Sequence, residues 1–190
     1  MSAAAGKVFV ITGPSGVGKG TLISGLLRQL GDIELSVSAT TRDPRAGEEG
    51  GLDYHFLDPA EFDRRIEAGD FLEHASYSGH QYGTLRSEVD SRLTAGTSVV
   101  LEIELQGARQ IRSSMPEAVQ IFIAPPDFDS LRSRLEGRGT DTPEAIAQRL
   151  STAEIEMAAQ DEFPNVVVND DMQTALDELV ALVRAQLPLD

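Results

Sequence analysis

Apolar residues along the 190-residue chain gather into five short runs, Val8 to Ile11, Leu35 to Ala39, Ser98 to Ile103, Val119 to Ile123 and Val166 to Val168. Short runs without polar alternation fit strands that are buried on both faces, as in a parallel sheet. Elsewhere the period lengthens, and Leu176, Leu179, Val180, Val183 and Leu187 follow the three-and-four spacing of one helix face. Strands alternating with helices predict an α/β, three-layer, doubly wound fold on a five-stranded parallel core sheet. In such a fold ligands gather at the C-terminal ends of the strands.

Two segments depart from that alternation. The stretch from Arg42 to about Thr84 reads as an inserted β-rich unit. It is extended at Asp53 to Leu57, helical from Asp58-Pro59 to near Gly69, and extended again at Phe71 to Tyr77 and His80 to Gly83 around Ser78-Gly79. From Asp127 to about Glu162 the pattern is a helical arm carrying Arg132, Arg134, Arg138 and Arg149. Gly137-Arg138-Gly139-Thr140 interrupts the arm, and Thr142-Pro143 marks a fresh helix start. A glycine-flanked arginine between two helices suits a moving lid. The expected organisation is one domain, with a core of about 1–41, 85–126 and 163–190, an insert of about 42–84 and a lid of about 127–162. No internal repeat, low-complexity tract or linker breaks it.

Composition narrows the class. The chain is 41% apolar and 25% charged, as in soluble globular proteins. With no cysteine, disulfides and thiolate metal sites are excluded. Met1 to Lys7 is too short for a secretory signal and no apolar run reaches membrane-spanning length, so the expected compartment is the cytoplasm, with no membrane partner. A formal charge of −15 opposes binding to a phosphate polymer, so no nucleic acid is expected. A single nucleotide makes no such demand. Two lysines stand against fourteen arginines, and the arginine fork suits phosphate oxygens, although codon bias explains the ratio equally well. Homo-oligomerisation is left open.

The sharpest local signal is Gly13-Pro14-Ser15-Gly16-Val17-Gly18-Lys19-Gly20-Thr21, directly after the first apolar run and directly before a helical one. Strand, glycine loop and helix in that order turn backbone N–H groups around a phosphate, and the lysine reaches the outer phosphates. The expected ligand is a nucleoside triphosphate with Mg²⁺; no protein-bound structural metal is expected. The hydroxyl that usually follows the lysine is displaced by one residue, from Gly20 to Thr21, the candidate magnesium ligand. An ordinary glycine-rich turn at a strand-to-helix junction is the competing reading.

Further on, Thr40-Thr41-Arg42-Asp43-Pro44-Arg45-Ala46-Gly47-Glu48 is followed by a segment from Glu73 to Thr84, Gln106-Gly107, Leu135 to Thr140, and Val168-Asn169-Asp170-Asp171. With the glycine loop, these motifs resemble the guanylate kinases through nearly the whole chain, in order and at family-like spacing. The resemblance implies transfer of the γ-phosphoryl group of ATP to GMP, with the insert as GMP-binding subdomain. Two alternatives are weighed: a kinase for another nucleoside monophosphate, and a guanylate-kinase-like module that grips phosphopeptides without catalysis.

The residues argue for that chemistry themselves. Two arginines three apart, Arg42 and Arg45, with the hydroxyls of Tyr54 and Tyr82, could surround a doubly charged phosphate. Guanine offers two donors on one edge, N1–H and the exocyclic amine, so a facing carboxylate selects it, whereas adenine offers a lone pair at N1. The resemblance points to Glu73 for that role, with Ser38 and Thr84 supplying hydroxyls near the base. Glu102 and Glu104 lie where the family usually has aspartates, and whether they face guanine or the magnesium shell stays open. Phosphoryl transfer needs mainly positioning and cancellation of charge. Lys19, Arg138 and Arg149, with Arg134 as a third arginine, are the candidates for that work, and the resemblance sets Asn169 against the adenine of ATP. His55, His74 and His80 show no ligand spacing and are expected to be structural or exposed.

Overall fold

A computed structural model describes residues 6–77, 79–137 and 142–187. The first half of the chain runs β1 (Val8–Thr12), α1 (Lys19–Gln29), β2 (Ile33–Leu35), β3 (Ala39–Thr40), β4 (His55–Phe56), α2 (Pro59–Ala68), β5 (Phe71–Tyr77) and β6 (His80–Leu85). Then follow α3 (Arg86–Thr94), β7 (Ser98–Glu102), α4 (Leu105–Ser114), β8 (Val119–Ala124), α5 (Phe128–Glu136), α6 (Pro143–Ala158), β9 (Asn165–Val168) and α7 (Met172–Gln186). The central sheet is parallel throughout, in the order β2-β7-β1-β8-β9.

Burial on both faces of this sheet follows from its period of two. Phe9, Ile11, Val100, Ile121 and Ile123 point into one hydrophobic layer with α1 and α7. Val8, Val10, Val99, Leu101 and Phe122 point into the other, with α3 and α4. The predicted C-terminal helix appears as α7, and Leu179, Val180 and Val183 lie buried in the first layer.

A second sheet of four short strands, β4-β3-β6-β5, stands beyond the strand ends. Its helix begins where Asp58 accepts a hydrogen bond from Glu61 N at 2.8 Å with Pro59 in the first turn, and it ends at Gly69. Phe62 and Phe71 stack at 4.5 Å between ring centroids, closing a small core with Ala39 and Leu85. Thr142-Pro143 likewise opens α6, with the Thr142 side chain accepting from Ala145 N.

One expected strand is corrected. Leu35 to Ala39 is not a core strand: β2 ends at Leu35, Ser36 N still donates to Val100 O, and Ala39 already pairs with His55 and Gly83 in the second sheet. The apolar run is the crossing between sheets, and apolarity does not tell which sheet receives a residue. Among the described residues no helix is long and apolar enough to cross a membrane. Leu179→Ala, at a fully buried position between α7 and the core, should cost about 2–5 kcal/mol in urea unfolding.

Candidate active site

β1 stops at Thr12, and the chain turns so tightly that Gly13 takes φ 141°; a Cβ there would stand 2.2 Å from Ile123 O. Gly18, at φ 100°, caps α1, and a Cβ there would stand 2.7 Å from Asn169 Nδ2. Lys19 is the first residue of α1, and its Nζ donates to Gly13 O at 2.5 Å and to Pro14 O at 3.2 Å. The first turn carries no acidic side chain, so the positive end of the helix dipole is left to an anion. Thr21 is exposed in that turn, and a Cβ on Gly20 would meet open space.

The loop is held from behind. Asn169, 1% exposed, donates from Nδ2 to Val17 O at 2.7 Å. The Arg134 guanidinium donates to Asn169 O at 2.8 Å and to Val17 O at 3.4 Å. Both residues, expected against nucleotide, are thus engaged with the loop and its neighbouring turn.

Loop and second sheet face each other across a cleft of about 380 Å³, lined by Gly13, Ser15, Lys19, Ser38, Tyr54, Glu73, Tyr82, Glu102 and Glu104, with Thr152 and Glu156 of α6. Burial pulls the Lys19 pKa below the ordinary lysine value, and Glu156 and Glu102 oppose that shift. The same burial raises the pKa of both carboxyls, with Lys19 working against it. Glu156 also accepts from Ser15 N at 3.4 Å.

On the opposite wall Glu73 is 4% exposed, and its Oε1 accepts from Thr84 Oγ1 at 2.7 Å. Burial pushes its carboxyl up to about 7, with Glu104 adding to the rise and the Thr84 hydrogen bond opposing it. Glu104 is the N-cap of α4, accepting from Gln106 N at 2.9 Å and from Gly107 N at 2.5 Å. The rings of Tyr54 and Tyr82 meet edge-on at 6.3 Å. Arg42 lies 5.3 Å over the Tyr54 ring and is pinned by both Glu48 oxygens at 2.9 Å and by Asp43 O at 2.7 Å. Arg45 is exposed, and its backbone N–H donates to Glu48 Oε2 at 2.7 Å.

Residues from six separated stretches of sequence therefore share one cleft. Arg138 lies outside the described residues. Arg149 sits three residues before Thr152 and seven before Glu156, on the same face of α6. Thr152 and Glu156 were not expected. A signal for Glu156 did exist: it is a glutamate beside the apolar series Ile146, Leu150, Ala153 and Met157 of one helix.

Comparison with known proteins gives one family. The family model described as guanylate kinase matches residues 5–186. A guanylate kinase of Frankia casuarinae is 54% identical over 174 residues, covering 92% of this chain and 95% of the relative. One from Synechococcus sp. (strain CC9902) is 54% identical over 183 residues, covering 96% and 98%. The crystal structure of guanylate kinase from Anaplasma phagocytophilum superposes with a TM-score of 0.76 at 32% identity, covering 98% of this chain and 88% of that one.

Glu73 links the site to stability. Its carboxyl titrates near 7 in the folded protein against an ordinary value of 4.5. The native state therefore holds its proton after the unfolded chain has lost it. Stability is full below pH 4.5 and falls as pH rises to about 7, by on the order of 3 kcal/mol. Urea midpoints from pH 5 to 8 should show this slope in the wild type and a flatter one in Glu73→Gln.

Proposed function

The chain belongs to the guanylate kinase family, and we propose that its cleft carries that family's reaction with the phosphate loop gripping the donor and Glu73 reading the acceptor base. The protein is an ATP:GMP phosphotransferase: the terminal phosphoryl group of ATP passes to a phosphate oxygen of GMP, giving ADP and GDP. One observation carries the assignment of roles. A lysine at a helix N-terminus and a buried carboxylate fixed by a threonine hydroxyl face the same cleft from opposite walls.

On the donor side, loop amides and the α1 N-terminus hold the phosphates and Lys19 offsets their charge. Glu102 interacts electrostatically with Lys19, which supports the donor side for it and leaves Glu104, the α4 cap beside Glu73, on the base side. Mg²⁺ takes oxygen ligands and keeps several of its waters. Among the described residues no cluster of three or more His, Cys, Asp or Glu side chains could hold a metal alone. An ion entering with the triphosphate would be held by the exposed Thr21 hydroxyl and Glu102. When bound, it supplies charge neutralisation at the donor phosphates.

On the acceptor side, Arg42, Arg45, Tyr54 and Tyr82 take the GMP phosphate. Arg42 comes already oriented by Glu48 and Asp43. The ionised Glu73 accepts from guanine N1–H and the 2-amino group, with Ser38 and Thr84 beside it. The accepting phosphate oxygen is an anion already, so no protein base is needed. The second sheet then serves as the GMP-binding insert, and α5 with α6 as a lid that brings in Arg149 and Arg138 and excludes water. Arg134 and Asn169 work by positioning the loop. No observation favours a phosphopeptide-binding module or another monophosphate as substrate.

A coupled assay of ADP release with GMP, AMP, CMP or UMP tests the reading. Turnover is expected with GMP. Lys19→Ala should lower kcat by on the order of a hundredfold or more. Glu73→Gln should raise the KM for GMP about tenfold and leave that for ATP unchanged. Equal turnover with AMP and GMP would overturn the base assignment.

A further inference from the structure

Gln106 and Gly107 are not among the residues that line the cleft, yet α4 is packed against β5 where Glu73 projects. Two contacts define this packing. A Cβ on Gly107 would stand 2.4 Å from Glu73 Oε2 and 3.0 Å from its Cδ, so the carboxylate occupies space that only glycine leaves. One turn later, Gln110 Nε2 donates to His74 O at 2.7 Å while Gln110 Oε1 accepts from His74 N at 3.1 Å. A single side-chain amide thereby satisfies both main-chain groups of the residue after Glu73.

The strand needs such support. β5 carries an extra residue between Phe71 and Glu73 relative to β6, and a bulge of this kind re-aims the side chain that follows it. Leu72, the extra residue, is buried in the core layer beside α4. Thr84 holds one Glu73 oxygen and Gly107 receives the other. The carboxylate is thus confined from two sides.

We propose that Gly107 and Gln110 are positioning residues for base selection: Gly107 provides the notch that admits the Glu73 carboxylate, and Gln110 fixes β5 along α4 so that this carboxylate meets the guanine edge. The inference rests on the reading of Glu73 as guanine acceptor.

The test compares GMP with inosine monophosphate, which lacks the 2-amino group, in Gly107→Ala, Gln110→Leu, Glu73→Gln and the double variant Glu73→Gln/Gly107→Ala. Gly107→Ala should raise the KM for GMP about tenfold, bring the ratio of kcat/KM for the two bases toward one, and keep the KM for ATP within about twofold. Gln110→Leu should act in the same direction by about threefold, and it carries the test should Gly107→Ala not fold. In the Glu73→Gln background Gly107→Ala should add little, because it acts through the missing carboxylate. Additive losses in both backgrounds, or ATP and GMP constants rising together, would overturn the proposal. If Glu73→Gln itself leaves GMP and inosine monophosphate discrimination intact, the reading of Glu73 fails and the inference with it; if Glu73→Gln relaxes discrimination and Gly107→Ala does not, the inference alone fails.

Discussion

The cleft depends on how β1 ends. Between β7 and β8 there is no room for a side chain at Gly13, and the backbone must turn with its α-carbon against Ile123 O. That turn directs the loop back over the sheet and starts α1 at Lys19. β7 ends with Glu102 beside Ile11, and β9 ends beside Ala124 of β8, so that Glu102 and, just past β9, Asn169 are delivered to this end of the sheet. Asn169 and Arg134 then tie the loop carbonyl of Val17 in place. The parallel sheet thus acts as a base on which the loop, Lys19 and Glu102 are set.

Charge is the second constraint. A protein with a formal charge of −15 must present cations to two phosphorylated substrates. It does so locally: Lys19 faces the cleft, and Arg42 is oriented by Glu48 near Tyr54. Three glutamates share that cleft with raised pKa values, Glu73, Glu102 and Glu156, all raised chiefly by burial. Charged groups with perturbed pKa collected in one cleft are the mark of a reacting site. Two of them counterbalance Lys19, and the third is set apart beside Thr84.

Much of this was legible in the sequence because local rules carried it. The apolar runs of β1, β7, β8 and β9, the Asp58-Pro59 and Thr142-Pro143 helix starts, and the periodic α7 each follow from patterns within a few residues. The glycine loop was readable for the same reason. What failed was non-local. Leu35 to Ala39 could not be divided between two sheets from its hydrophobicity. Glu156 enters the cleft only because α6 packs its Ala153 face on the core. The hold of Asn169 and Arg134 on Val17 spans more than a hundred residues of sequence, and the fit of Gly107 to Glu73 exists only once α4 lies on β5.

The reading of Glu73 requires a carboxyl kept partly neutral by burial to become the charged acceptor of guanine. Calorimetric titration with GMP at pH 7, in two buffers of different ionisation enthalpy, tests it most directly. With the Glu73 carboxyl near 7, wild-type protein should release about half a proton more per GMP bound than Glu73→Gln does. Equal proton release by the two proteins would contradict the account.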